Sequence, residues 1–336
     1  SLVTVEKETN TVNLKTEAPS ITKTADKDTV SIGQVVKYTV TGSVPDTTGY
    51  SEYVYNIHDT LSNGLDFVND ETGTPTSDGN VKVTVAFKDA TDASTAPTTA
   101  TIDTDNSKKM SLDLSEWVKA SQANKGKEFT VTYYAKVNKV ADVSTKNNAT
   151  LEYGNNPGET TTTTPSEAKT PTYPLDIKKF AKTDNKMLAG AKFKLYKDSV
   201  ADENVIKVTG SEGNYVVDPN SKNTVFESVA SITGQNYNLH VNGLAAGTYY
   251  LVETEAPAGY NKLTASIKVV IAKDGDNWTI SKDGTPETDK IIDVENSTGS
   301  ILPSTGGMGT IAFTVVAAIL VLGVAVSFIR DRKREN

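Results

Sequence analysis

The chain has 336 residues, a formal net charge of −8, 37% hydrophobic residues and no cysteine. This length is enough for two or three domains. The acidic balance argues against a nucleic-acid-binding protein, because no broad basic surface is available to neutralise phosphates. The lack of cysteine excludes disulfides and cysteine-ligated metals, and only two histidines, His58 and His240, are present. We therefore expect no metal and no cofactor.

Residues 20–296 are dominated by alternating apolar and polar side chains, interrupted by clusters of Gly, Asn, Asp and Pro. This pattern predicts the antiparallel strands of β-sandwiches. One short helix is predicted at residues 116–120, with Ser115 as its N-terminal cap. The alternating sets are Val36, Tyr38 and Val40; Tyr55, Ile57 and Leu61; Val81, Val83 and Val85; Phe129, Val131 and Tyr133; and Ala149, Leu151 and Tyr153.

A segment rich in threonine and proline divides the strand-like part of the chain. It includes five consecutive threonines and predicts an extended surface linker over residues 161–174. The linker separates two predicted sandwich regions, residues 16–160 and 175–298. Residues 1–15 show a weak alternation of apolar and polar side chains. They are therefore expected to be either the end of an upstream region or an added strand of the first sandwich.

The C-terminal part predicts a membrane-spanning helix. Residues 311–329 carry no charge and would measure about 28 Å as a helix, close to the thickness of a bilayer core. A basic tail, residues 330–336, follows directly, and cationic residues next to a span favour the cytoplasmic side. We therefore expect the precursor's C-terminus to be cytoplasmic and residues 1 to about 300 to lie outside the cell. The basic residues are Arg330, Arg332, Lys333 and Arg334.

A short motif stands directly before the apolar span. It consists of Leu302, Pro303, Ser304, Thr305 and Gly306. Together with the span and the basic tail, over residues 299–336, it resembles the LPxTG sorting signal of Gram-positive surface proteins. The resemblance implies that a sortase cleaves between Thr305 and Gly306. The Thr305 carboxyl is then joined to an amine of the peptidoglycan cross-bridge or of another subunit, so the chain is a substrate anchored to the cell wall.

Residues 249–260, with the sequence YYLVETEAPAGY, resemble the E-box of CnaB-type pilin domains. Residues 182–184 and 188–193 are similar to the first-strand motif of the same domains. The resemblance implies an isopeptide bond between Lys182 and Asn296, promoted by Glu253.

The strand pattern leads to the same three residues independently, because each shares its phase with apolar neighbours. We therefore predict that Lys182, Glu253 and Asn296 point into a core, where unpaired charges would cost several kcal/mol each. A neutral lysine amine could attack the asparagine amide while the protonated carboxyl polarises its carbonyl. The alternative is an ordinary buried ion pair. The apolar neighbours are Phe180, Tyr249, Leu251, Ile292 and Val294.

The first region resembles the isopeptide-forming shaft domain of fimbrial subunits, through residues 19–23, 32–38, 59–65 and 147–157. Strand phase again selects the candidates. Lys23 and Asn147 are predicted to form the bond, promoted by Asp59. Asn155 shares the phase of Asn147 and is the alternative acceptor. The alternative role of Asp59 is that of a turn-forming residue before Ser-Asn-Gly.

These features predict an all-β chain of two tandem immunoglobulin-like sandwiches, CnaA-like and then CnaB-like, followed by one transmembrane helix. The predicted function is that of a structural pilin subunit and not of an enzyme, apart from autocatalytic bond formation. Its expected partners are a sortase and, as covalent acceptors, the peptidoglycan cross-bridge or other pilin subunits; a host surface ligand is a further candidate. The alternative is a wall-anchored adhesin that binds a host matrix protein. Lys7 is a candidate for the lysine that joins subunits, although the Tyr-Pro typical of that motif is missing.

Overall fold

The computed structural model describes residues 18–89 and 95–299. Almost all regular structure in these residues is β-strand, as predicted. The first region also contains the helix α1 Ser115–Ala120 and a 3₁₀ turn at Gln122–Asn124. Its strands are β1 Thr22–Ala25, β2 Val35–Ser43, β3 Val54–Leu61, β4 Leu65–Val68, β5 Asn80–Lys82, β6 Thr84–Phe87, β7 Thr99–Ile102, β8 Lys109–Asp113, β9 Glu128–Val137, β10 Lys146–Gly154, β11 Thr161–Thr162 and β12 Ser166–Lys169.

The strands of the first region form two antiparallel sheets. One has the order β1-β2-β9-β4, with β6 also paired to β9. The other has the order β11-β10-β3-β8-β7-β5, with β12 also paired to β10. Side chains alternate between buried and partly exposed along β9, as the period-two pattern predicts. The Trp117 ring of α1 packs against Phe87 and Phe129, with ring centroids 5.2 and 4.9 Å apart.

The second region forms two further sheets. One has the order β15-β16-β18-β13-β23 and the other β17-β14-β19-β20-β21-β22. The first and last strands, β13 and β23, are parallel neighbours. A 3₁₀ turn lies at Asp202–Asn204. The strands are β13 Tyr173–Ala181, β14 Lys192–Lys197, β15 Val208–Ser211, β16 Asn214–Val217, β17 Phe226–Glu227, β18 Leu239–Leu244, β19 Gly247–Glu255, β20 Ile267–Asp274, β21 Asn277–Lys282, β22 Thr285–Pro286 and β23 Ile291–Asn296.

Two local predictions are wrong. Residues 161–169 are not an extended linker, because β11 and β12 both pair with β10 and extend the first sandwich. Threonine is β-branched and favours strands, so a threonine-rich segment can join a sheet as readily as it can form a linker. The helix α1 is where it was predicted, but Ser115 does not cap it. Its hydroxyl accepts the Tyr55 N–H instead.

The loop between β1 and β2 joins the two regions through backbone contacts. The Ile32 N–H donates to the Gly243 carbonyl oxygen at 3.0 Å, and the Val30 N–H donates to that of Pro171. In return, the Ala245 N–H donates to the Ser31 hydroxyl at 3.1 Å. The two regions are therefore in direct contact. Within the described ranges, no helix has the length and apolar character needed to cross a membrane, and the predicted span at 311–329 lies outside them.

Candidate functional site

The first cluster of buried polar residues lies between the two sheets of the first sandwich. Lys23 projects from β1 of one sheet, and its amine lies 2.5 Å from the Asp59 carboxylate on β3 of the other. Asn147 is on β10, beside β3, where its neighbour Ala149 pairs with Asp59. All three side chains are buried. The structure therefore brings together the lysine, the acid and the preferred asparagine that the strand phases selected.

Two tyrosine rings enclose the Lys23 amine. The ring centroids of Tyr38 and Tyr133 lie 4.4 and 4.6 Å from its nitrogen. The Tyr133 hydroxyl also forms hydrogen bonds with the Lys23 amine and with the Asp59 carboxylate. Burial lowers the pKa of Lys23, although the Asp59 charge opposes this effect. Burial likewise raises the pKa of Tyr133 well above its usual value.

Asn155, the alternative acceptor, is exposed and lies beyond the end of β10. It lines a surface cleft with Tyr50 and Lys125. Asn155 is separated from Asn147 by an even number of positions, so an extended strand would point both side chains to the same face. The strand β10 ends at Gly154, however, so Asn155 lies outside it and does not enter the core. The structure therefore does not bring Asn155 to Lys23.

The second cluster lies in the core of the second sandwich and contains Glu253 of β19 and Asn296 of β23, as predicted. The Asn296 side-chain nitrogen donates to the two Glu253 carboxylate oxygens at 3.1 and 3.2 Å, and to the Asn261 carbonyl oxygen at 2.8 Å. The lysine of this cluster is Lys179 of β13, whose amine lies 3.3 Å from the Glu253 carboxylate. Burial lowers the pKa of Lys179 to about 8, against the opposing effect of Glu253.

Lys182 does not belong to this cluster, so the prediction that it points into the core is wrong. Its side chain is exposed just after the end of β13, and only its backbone N–H reaches Asn296, donating to the carbonyl oxygen at 2.9 Å. The prediction used Phe180 as the marker of the inward face. In the structure, Ile177, Lys179 and Ala181 point inward, whereas Phe180 is only partly buried on the opposite face. Lys182 comes two residues after Phe180, on the same side of the chain, and therefore also points outward.

Asn238 was not anticipated from the sequence. It is completely buried, and its side chain accepts the Lys179 N–H at 2.7 Å and donates to the Lys179 carbonyl oxygen at 3.0 Å. Two further carbonyl oxygens, those of Leu188 and Val229, accept from the same amide nitrogen. Asn238 therefore fixes the backbone of β13 at the residue that carries the buried amine. A polar residue just before β18 gives no sequence pattern that would reveal this role.

Two family models match this chain. Residues 174–286 match the SpaA prealbumin-like fold domain, and residues 295–336 match the LPXTG cell wall anchor motif. The chain is a cell-wall-anchored surface protein of the LPXTG type. The motif at 302–306 and Lys7 both lie outside the described residues. No curated protein matches the chain significantly in sequence.

Solved pilin structures share the fold. The chain is 24% identical to the pilus 2b backbone protein of group B Streptococcus, covering 84% of this chain and 99% of that one with a TM-score of 0.52. It is 18% identical to the full-length major pilin RrgB of Streptococcus pneumoniae, covering 84% and 75% with a TM-score of 0.55. It is 17% identical to a 35 kDa C-terminal fragment of the major pilin GBS80 of Streptococcus agalactiae, covering 83% and 100% with a TM-score of 0.54. The chain has the fold of a Gram-positive major pilin.

Proposed function

We propose that this protein is a structural pilin subunit, processed by a sortase between Thr305 and Gly306, and that one intramolecular isopeptide bond stabilises each of its two sandwiches. The observation that carries the proposal is the repeated arrangement in the two cores. Each has a buried lysine amine beside a buried carboxylate, with a buried asparagine next to them. Two unrelated sets of residues thus provide the same three functional groups.

The second cluster supports a balanced reaction. The Lys179 ammonium passes a proton to Glu253, and the neutral amine attacks the side-chain carbonyl carbon of Asn296. Glu253 then protonates the leaving nitrogen, which its carboxylate already contacts, and takes a proton from the attacking nitrogen. The carbon–nitrogen bond of the Asn296 amide breaks, ammonia leaves and an amide joins the two side chains. No external reactant is required.

Burial provides the driving force for this chemistry. A buried ion pair costs several kcal/mol per ion in desolvation, which only good geometry recovers. Forming the amide removes the lysine charge and leaves the carboxyl neutral. The reaction therefore replaces a costly pair with groups that suit an apolar core.

The positions of the bonds suit a subunit that carries tension. Lys179 and Asn296 lie on β13 and β23, the first and last strands of the second sandwich, which are parallel neighbours. Tension between the ends of the sandwich would shear these strands past each other, and a covalent bond between them resists that movement. In the first sandwich, the bond from Lys23 to Asn147 would instead join the two facing sheets.

The anchoring step is tested by a substitution in the sorting motif. In cells, Thr305→Ala should leave the protein in the membrane or medium, whereas the matched control Ser304→Ala should still be linked to the wall. Release by a muralytic enzyme measures the linkage, and continued wall attachment of Thr305→Ala would contradict the proposal. Ladders of covalent polymers on a denaturing gel of wall extracts are expected for a pilin. One discrete anchored band would favour the adhesin.

A further inference from the structure

The Tyr133 hydroxyl occupies a position that no other tyrosine shares in the part of the chain that the structure describes. It forms hydrogen bonds with both the Lys23 amine and the Asp59 carboxylate. Asn147 lies on the strand beside Asp59, two residues from Ala149, the pairing partner of Asp59, and neither atom of its buried amide has a hydrogen-bond partner among the described residues. Tyr133 therefore contacts the amine and the carboxylate of the first cluster, and the unpartnered amide lies on the strand next to that carboxylate.

Other buried tyrosines show that this arrangement is specific. The rings of Tyr38 and Tyr55 are also fully buried in the first sandwich, but their hydroxyls have no hydrogen-bond partner in residues 18–89 and 95–299. In the second cluster, within the same described ranges, the Asn296 amide is held by Glu253 and the Asn261 carbonyl, and no tyrosine hydroxyl takes part.

We propose that Tyr133 is a catalytic residue for the first cross-link, a role that rests on the proposed bond between Lys23 and Asn147. Its hydroxyl donates a hydrogen bond to the oxygen of the Asn147 amide as negative charge develops there. A preformed donor at such an oxygen is worth most in a site that excludes water, as this one does. Before the reaction, the buried Asn147 amide oxygen accepts no hydrogen bond from the described residues, so it is free to accept one from Tyr133.

The steps balance with the groups in place. The Lys23 ammonium passes one proton to Asp59, which weakens the hydrogen bond from Tyr133 to that carboxylate. The amine lone pair attacks the Asn147 carbonyl carbon, the carbonyl π pair moves to the oxygen, and the released Tyr133 hydroxyl turns to donate to it. Asp59 protonates the leaving nitrogen and takes a proton from the attacking nitrogen. The oxygen pair re-forms the carbonyl, ammonia leaves, and Asp59 keeps one proton.

The test uses the full chain with both clusters intact, made in a cell-free system without sortase and quenched at intervals. Intact mass counts the ammonia molecules lost, and tryptic mapping assigns each cross-link. In Tyr133→Phe, we expect the Lys23–Asn147 bond to form about 100-fold more slowly, which is typical of removing one such donor. The second bond should form at the parental rate and serves as an internal control.

Tyr55→Phe is the matched control. It removes an unpartnered hydroxyl from a buried ring about 13 Å along β3 from Asp59, so both bonds should form as in the parent. Formation of the first bond at the parental rate in Tyr133→Phe would overturn the role of Tyr133 and leave the proposed function standing. Equal slowing in Tyr55→Phe would also overturn it, because the cause would then be packing. A folded parent that loses no ammonia would overturn both proposals.

A second variant separates chemistry from folding if Tyr133→Phe does not fold, as judged by circular dichroism. Placing 3-fluorotyrosine at position 133 preserves the ring and the hydroxyl but makes the phenol more acidic. A hydroxyl that donates to the developing charge should then change the rate of the first bond several-fold. A hydroxyl with only a packing role would leave that rate unchanged, which would contradict the proposal.

Discussion

The Lys179 amine lies 3.3 Å from the Glu253 carboxylate, and both side chains are completely buried although they come from opposite sheets. Asn238 fixes the backbone of Lys179, and the Asn296 amide occupies both oxygens of Glu253. An ion pair this deep is costly to maintain. Its position beside an amide on the last strand makes bond formation the favourable way to remove the charges.

Lys179→Met is expected to abolish the cross-link of the second sandwich. Methionine keeps the core filled but has no amine. Loss of a bond that closes a loop of 117 residues (296 − 179) should lower the free energy of unfolding by about 4–5 kcal/mol, by analogy with disulfides. Intact mass and thermal unfolding measure the two effects. Lys182→Ala is the control and should keep both the bond and the stability, so loss of the bond in that variant alone would contradict our assignment.

The stability of an uncross-linked variant should depend on pH in a defined window. Asn296→Ala removes the acceptor but keeps Lys179, whose pKa burial lowers to about 8 from 10.5. Between these values the unfolded chain binds more protons than the folded one, so the free energy of unfolding should rise with pH from about 8 to 10.5. Chemical denaturation at several pH values measures this rise.

The control for this pH dependence is the double variant Lys179→Met with Asn296→Ala, which lacks the titrating amine but retains the other ionisable groups. The difference between the two variants isolates Lys179. If the two curves remained parallel over the whole window, the buried amine would not be linked to folding.

The acceptor of the first cross-link can be identified by two matched substitutions. Asn147→Ala should abolish the bond to Lys23, because Asn147 is the buried asparagine beside Asp59. Asn155→Ala should have no effect, because that side chain is exposed. Tryptic mapping of the Lys23 peptide distinguishes the cases, and a Lys23 peptide joined to residue 155 would show that phase selected the wrong acceptor.

For Asn147, Glu253 and Asn296, the sequence predicted the buried position because strand phase was read against several inward residues. Asn147 leads a strand whose next inward side chains are Ala149 and Leu151, and Glu253 follows Tyr249 and Leu251 on one face. Lys182 was misplaced because a single aromatic neighbour was taken to mark the inside. Alternation shows which residues of a strand share a face, but it does not say which of the two faces is turned to the core.

Tyr133 and Asn238 could not be assigned roles from the sequence for a different reason. Tyr133 is part of a regular apolar alternation, so its ring alone explains its position, and its hydroxyl becomes informative only when Lys23 and Asp59 are seen beside it. Asn238 acts on the backbone of a distant strand. Contacts between strands far apart in the chain depend on sheet pairing and register, which the local pattern does not contain.

The contact between the two regions should depend on the absence of a side chain at Gly243. Its φ is +107°, and a Cβ there would lie 2.3 Å from the Ile32 Cδ1 atom. Gly243→Ala should therefore push Ile32 away and break the hydrogen bond from its N–H. Hydrogen exchange should become faster at the Ile32 and Ala245 amides, while both cross-links still form.

Gly234→Ala is the matched control for this substitution. Gly234 also has a positive φ, +78°, but a Cβ there would meet nothing within 4 Å. Both variants should carry backbone strain of about 1–2 kcal/mol, but only Gly243→Ala adds the clash with Ile32. Small-angle scattering should then show a change in shape for Gly243→Ala alone. Unchanged exchange at Ile32 in that variant would mean that this contact does not hold the two sandwiches together.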